Sequence, residues 1–238
     1  MKNLFSLYSS SPFIAMLKNN IRFVEFGGRI ATGGMPIILY KRAKTYKLVP
    51  VTTLIAIGIY EALLYFSHTV EGTNAQLTLS IGEGIMVFAP GVLLVVLSSF
   101  PAFMTEPLWL NLSAMTPIEF ARNYLIARTI PTFIVFLPIS ISVLLINPLV
   151  GVGSLFIPLL YIYSASINAR VYFVFVSSRH PYYNSNTYVG LLLLPLVQVA
   201  LDSFFPIAGV VVTMASTLPF LFSRSYWEKT FEKALTSV

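Results

Sequence analysis

Tyr124–Ile146 reads YLIARTIPTFIVFLPISISVLLI, meets Asn147-Pro148, and is followed from Leu149 to Val176 by LVGVGSLFIPLLYIYSASINARVYFVFV. Both runs are almost unbroken in apolar side chains and reach the ~20 residues a helix needs to cross a hydrocarbon core of about 30 Å. A transmembrane β-strand would alternate in polarity over roughly ten residues, which neither run does. Asn-Pro between them reads as a tight turn. The second run would extend about 42 Å as one helix at 1.5 Å per residue, which puts Arg170 at or beyond the far face of the membrane.

Outward from this pair the pattern repeats, at about Leu48–Phe66 and Ile81–Met104 before it, and at about Val189–Phe204 and Pro206–Phe222 after it. The expected fold is therefore all-α: a polytopic membrane protein with six transmembrane helices in one domain spanning 48–222. The last two runs are short and share a turn near Phe205-Pro206, so they read either as two crossings or as a re-entrant hairpin. Composition agrees, with 56% hydrophobic residues, 10% charged residues and a mean hydropathy of +0.80. Soluble domains carry charge on about a quarter of their residues. Prolines 90, 131, 138, 158, 195 and 219 are expected to kink the spans, as is common in membrane helices.

The 15 Lys and Arg residues lie in alternate gaps between these runs or near the run ends that face those gaps. Lys2, Lys18, Arg22, Arg29, Lys41, Arg42, Lys44 and Lys47 precede the first. Arg122 and Arg128 follow the second, Arg170 and Arg179 the fourth, and Arg224, Lys229 and Lys233 the sixth. Basic residues beside spans stay in the cytoplasm during insertion, so the pattern predicts both termini inside a cell (plasma) membrane. Anionic lipid headgroups account for the net charge of +6. The basic residues are scattered and form no aromatic-interleaved patch of the kind nucleic acid requires.

Residues 1–47 read as a cytoplasmic amphipathic segment, with Phe13, Met16, Leu17, Ile21 and Val24 at roughly helical spacing before glycines 27, 28, 33 and 34. The tail, 223–238, has Ser225 and Glu228 at capping-box spacing, with Trp227, Phe231, Ala234 and Leu235 on one helical face. It reads as a short interfacial helix. Ser80 and Glu83 have the same spacing at the expected start of span two.

The gap between spans two and three is the most structured cytoplasmic segment. Thr116 as N-cap, Pro117 at the first helical position and Glu119 at the third each meet a need of a helix's first turn. A shorter amphipathic helix from about Glu106 to Ala114, carrying Leu108, Trp109 and Leu112, precedes it. It reads as an interfacial anchor or as a docking element for a cytoplasmic partner.

A chain of this length and layout, with Glu106, Leu108 to Leu112, Thr116, Pro117 and Ile118 in that order, resembles the permease subunits of type-2 ABC exporters. It departs from them in having Glu119 where Ser is frequent, and Ile126-Ala127 where a Gly-Lys pair is frequent. The resemblance implies a membrane-spanning subunit that couples through Glu106, Leu108, Trp109, Leu112, Thr116, Pro117 and Glu119 to a separate ATP-binding subunit. It also implies a substrate path formed with a second permease copy or a similar permease. No G-x-x-x-x-G-K-[ST] phosphate loop occurs in this chain, so ATP hydrolysis would reside on another. The alternative class is a non-catalytic anchoring subunit of a larger membrane complex.

Zero cysteines exclude thiolate metal sites and disulfides. His68 and His180 fall on opposite sides of the membrane in this topology, so no shared metal or haem site is expected, and no cofactor. No nucleophile, base and acid converge into a catalytic set. Among carboxylates expected within or beside the spans, Glu83 reads as a helix cap. Asp202 reads as interfacial or path-lining. Glu61, deep in span one, reads as lining a polar path or hydrogen-bonded to a neighbouring span.

Overall fold

The computed structural model describes residues 13–14, 16–17, 21–32, 35–69, 75–99, 103, 112–113, 115–177 and 185–236. Two antiparallel strands, β1 (Phe23–Thr32) and β2 (Met35–Lys44), lead into eight helices. These are α1 (Thr45–Thr69), α2 (Ala75–Ser99), α3 (Pro117–Leu144), α4 (Pro148–Phe156), α5 (Leu160–Ser177), α6 (Ser185–Phe204), α7 (Pro206–Phe222) and α8 (Arg224–Thr236). Each of the six runs expected from the sequence is helical over most of its described length. A 3-10 turn, Ile157–Leu159, divides the fourth run into α4 and α5. Pro158 sits in that turn, and a ring without an N–H cannot continue an α-helical ladder.

Three helical stretches are long and apolar enough to cross a membrane: Thr45–Thr69, Pro117–Leu144 and Pro148–Arg170. A fourth arises if α7 and the start of α8, bent by 64° at Ser223, count as one span. Shorter apolar stretches cover Thr78–Leu94 and Leu193–Phe204. These helices mark the chain as a membrane protein.

The amino-terminal segment departs from the expected helix. Phe13, Ile14, Met16 and Leu17 are helical, but Val24 lies in β1, whose residues pair from Phe23 opposite Lys44 to Thr32 opposite Met35. Two residues, Gly33-Gly34, separate strands in that register, and Gly-Gly between apolar runs is a hairpin signal. The Thr45 amide donates to the Arg22 carbonyl at 2.9 Å, which ties the hairpin's base to the start of α1.

Two buried clusters hold the body together. The first joins Ala56, Ile59 and Leu63 of α1, Val87 and Leu94 of α2, Val135, Phe136, Ile139 and Val143 of α3, and Val150, Ile157, Leu160 and Val199 farther along. It also takes in Val24 of β1, so the hairpin is anchored on the bundle. The second gathers Phe103, Phe120, Tyr124, Leu125, Tyr161, Ala165, Ala169, Trp227 and Phe231 where α3 begins and α7 ends. α3 and the stretch through α5 are mostly buried, 61% and 67% over their most apolar windows, whereas α1 is only 11% buried. One flank of the molecule is thus a nearly uncovered apolar helix.

Three charges sit otherwise than their spacing suggested. α2 begins at Ala75, so Glu83 lies mid-helix instead of capping it; it is buried and accepts a 2.7 Å hydrogen bond from Asn147 Nδ2. Asn147 in turn caps α4, its Oδ1 accepting from the Leu149 and Val150 amides. Extension of α2 by Ala75, Gln76 and Leu77, all compatible with a helix, moved the true start upstream. Arg128 is no interfacial anchor but is 4% exposed inside α3, its guanidinium 5.3 Å from the Tyr124 ring. At the tail, α8 starts one residue before Ser225, and Glu228 pairs with Arg224 at 2.6 Å instead of closing a capping box.

Candidate functional site

Thr116, Pro117 and Glu119 build the start of α3 as their types dictate. Thr116 is extended (φ −68°, ψ 153°), Pro117 takes the first helical position, and the Phe120 amide donates to the Thr116 carbonyl at 3.0 Å. The Glu119 carboxylate accepts from both the Thr116 amide at 3.1 Å and the Thr116 hydroxyl at 2.7 Å. The Thr116 hydroxyl, then its amide, hold the Glu119 carboxyl below the usual glutamate range. With its folded value lowered, Glu119 supports the helix start fully above about pH 4.3 and progressively loses that contribution as pH falls through the folded value. Hydrogen exchange of the first α3 amides should therefore accelerate on acidification in wild type. In Glu119→Gln it should already be faster at neutral pH.

Behind this helix start lies an aromatic hub. Phe103 is 1% exposed and has φ 63°, the one positive φ on a non-glycine among the described residues. A bulky side chain in that region costs about 1–3 kcal/mol and persists only where its surroundings impose it. Those surroundings are specific. The Phe103 amide donates to Tyr124 Oη at 3.1 Å and the two rings stack at 4.2 Å. Trp227, Phe231 and Phe120 ring it at 5.4, 5.7 and 5.9 Å. Leu112, Met115 and Ile118, and Met16 from the amino terminus, pack around this hub.

α8 supplies half of the hub. Of the face that the sequence offered to a membrane interface, Trp227 and Phe231 are turned onto the protein and essentially fully buried, while Leu235 stays exposed. Trp227 Nε1 donates to the Phe220 carbonyl at 2.7 Å and Tyr226 Oη to the Ser166 carbonyl at 2.8 Å. Arg170 stands 5.3 Å over the Tyr226 ring, and burial pushes the Tyr226 phenol well above its ordinary range. The segment between α2 and α3 is thus gripped at both ends, at Phe103 and at Phe120 and Tyr124, by a helix from the other terminus.

At the opposite end of the bundle is a polar pocket of side chains among α4, α6 and α7. Asp202 is wholly buried, and Thr213 Oγ1 donates to its Oδ2 at 2.8 Å. Gly209 and Gly153 let the helices meet there: a Cβ on Gly209 would lie 2.5 Å from the Asp202 backbone, and one on Gly153 2.5 Å from the Asp202 carbonyl oxygen. Gln198, Ser203 and Thr217 are buried on the same two helices.

Of the residues singled out from the sequence, Leu112, Thr116, Pro117 and Glu119 come together at the α3 start. Glu106, Leu108 and Trp109 lie outside the described residues, as does His180. Glu61 is exposed on α1, which packs on α3 and α2, and is therefore not brought to Asp202. Phe103, Tyr124, Gln198, Gly209 and Thr213 were not singled out. Spacing held a signal for some of them, since Gln198 and Asp202 are one helical turn apart, as are Gly209, Thr213 and Thr217. No group of three or more His, Asp or Glu residues positioned to hold a metal ion occurs among the described residues. Compared with known proteins, the chain matches no family model, no curated protein and no solved structure.

Proposed function

We propose that the chain is the membrane-spanning permease subunit of an ATP-driven exporter, crossing the membrane six times with both termini in the cytoplasm. It works as a dimer with a second permease and couples to a separate ATPase through residues 106–123. The observation that carries this reading is the grip on both ends of that segment. A force applied to it reaches α8 through Phe103 and α3 through Phe120 and Tyr124, because strained, fully packed rings transmit displacement instead of absorbing it. A passive anchor has no need of that linkage. Glu61, on the least covered span, faces lipid or the second permease, and a carboxylate in that position favours the permease.

Purification from the native membrane in mild detergent tests this. An ATPase with a phosphate loop should copurify, and Trp109→Asp or Leu112→Asp should lower its recovery at least tenfold while the permease itself still folds. Recovery of haem or quinone proteins with no ATPase would refute the coupling role.

A further inference from the structure

We propose that Asp202 is a proton-binding site, its carboxyl group protonated while α4, α6 and α7 are closed around it and ionised when they part. The inference rests on the packing at Asp202 alone and is independent of the coupling role of residues 106–123. Asp202 is 0% exposed, and Thr213 fills one position on Oδ2. Oδ1 is buried with no hydrogen-bond partner among the described residues, and so is Oε1 of Gln198, one turn earlier on α6. An ionised carboxylate is acceptor-only, as is an amide oxygen, so neither can satisfy the other. A proton on Asp202 makes Oδ1 a donor, and Gln198 Oε1, one turn earlier on the same helix, is a buried acceptor without one.

The described residues around the site offer no other way of neutralising it. α2, α4, α6 and α7 carry no Lys or Arg, and the ionisable groups on the elements packed against α6 are few. Glu83 of α2 is held by Asn147. On α5 stand Tyr161, Tyr163, Tyr172 and Arg170, the last over Tyr226; α6 itself adds only Tyr188. Arg128, the buried cation of α3, lies over Tyr124 at the other end of the bundle. No group of three or more His, Asp or Glu residues placed to hold a metal ion occurs among the described residues. An unpaired charge in such a place is strongly unfavourable, and protonation is the change that removes it.

The site also has a way to open. α6 and α7 are separated by Phe205 alone, and Thr213 bridges them through Asp202. Parting the two helices removes the Thr213 donor and admits water. The carboxyl O–H bond then breaks, leaving carboxylate on Asp202 and the proton on water; closure reverses both.

Infrared spectroscopy of the full chain in lipid nanodiscs tests the proposal. At neutral pH the wild type should show a protonated-carboxyl carbonyl band that Asp202→Asn lacks. Gln198→Leu, which removes the acceptor, should keep that band but shift it. Identical spectra for wild type and Asp202→Asn would overturn the proposal. If Asp202→Asn fails to fold, a band unmoved by Gln198→Leu does the same.

Discussion

Trp227→Ala should destabilise the protein by about 3–5 kcal/mol, the range for removing a large buried aromatic ring. Trp227 is 0% exposed and contacts Phe103, Tyr226 and Phe231 within 5.4 Å between ring centroids. Its loss opens a cavity among rings already fixed by other bonds, so collapse is limited. It also removes the indole donor to the Phe220 carbonyl and leaves that acceptor at the bend between α7 and α8. The strained Phe103 backbone loses one of the contacts that impose its φ. The expected readout is a large fall in the unfolding midpoint in detergent, together with new protease cleavage in α8. Trp227→Phe, which keeps most of the ring, should recover much of the loss. A Trp227→Ala midpoint within a degree or two of wild type would mean that α8 does not brace the hub.

Gly209→Ala should be nearly as damaging although it adds one methyl group. That carbon would stand 2.5 Å from the Cα and N of Asp202, and backbone atoms inside a helix cannot step aside as a flexible side chain can. α6 and α7 must separate, and the Thr213 to Asp202 hydrogen bond is lost with them. Overpacking of this kind costs at least about 1–3 kcal/mol. Gly58 provides the internal control, since nothing lies within 4 Å of a Cβ there. Gly58→Ala should be neutral or stabilising by ~0.5–1 kcal/mol through helix propensity. Equal unfolding midpoints for the two variants would contradict the close crossing of α6 and α7.

Both changes bear on how much of the molecule its sequence discloses. The helices were legible because an apolar run of membrane length has few other solutions. The start of α3 was legible because Thr116, Pro117 and Glu119 act within one turn of each other. The hairpin at 23–44 departs from that reading although Gly33-Gly34 announces it, because helical spacing up to Val24 followed by four glycines fits an amphipathic helix and a bent connector as well as it fits two strands. Glu83 misled for a related reason: capping-box spacing is local and cheap to match, whereas its partner, Asn147, is 64 residues away. Arg128 shows the same limit, since a basic residue near a span end is read as solvent-facing unless one knows that Tyr124 and the bundle enclose it.

By itself the sequence determined that this is a helical membrane protein, the approximate place of its long apolar helices, and how α3 begins, because hydrophobic length and first-turn capping are set by neighbours along the chain. Tertiary structure alone decided that α8 folds back to clamp the ends of the segment between α2 and α3. It also decided that Asp202 is sealed among α4, α6 and α7, and that Glu61 stays outside. Those outcomes depend on which faces meet: Trp227 needed Phe103 and Tyr124, and Asp202 needed Gly153 and Gly209 to let the helices close. Periodicity shows that a helix has an apolar or polar face, and only packing shows what that face is against.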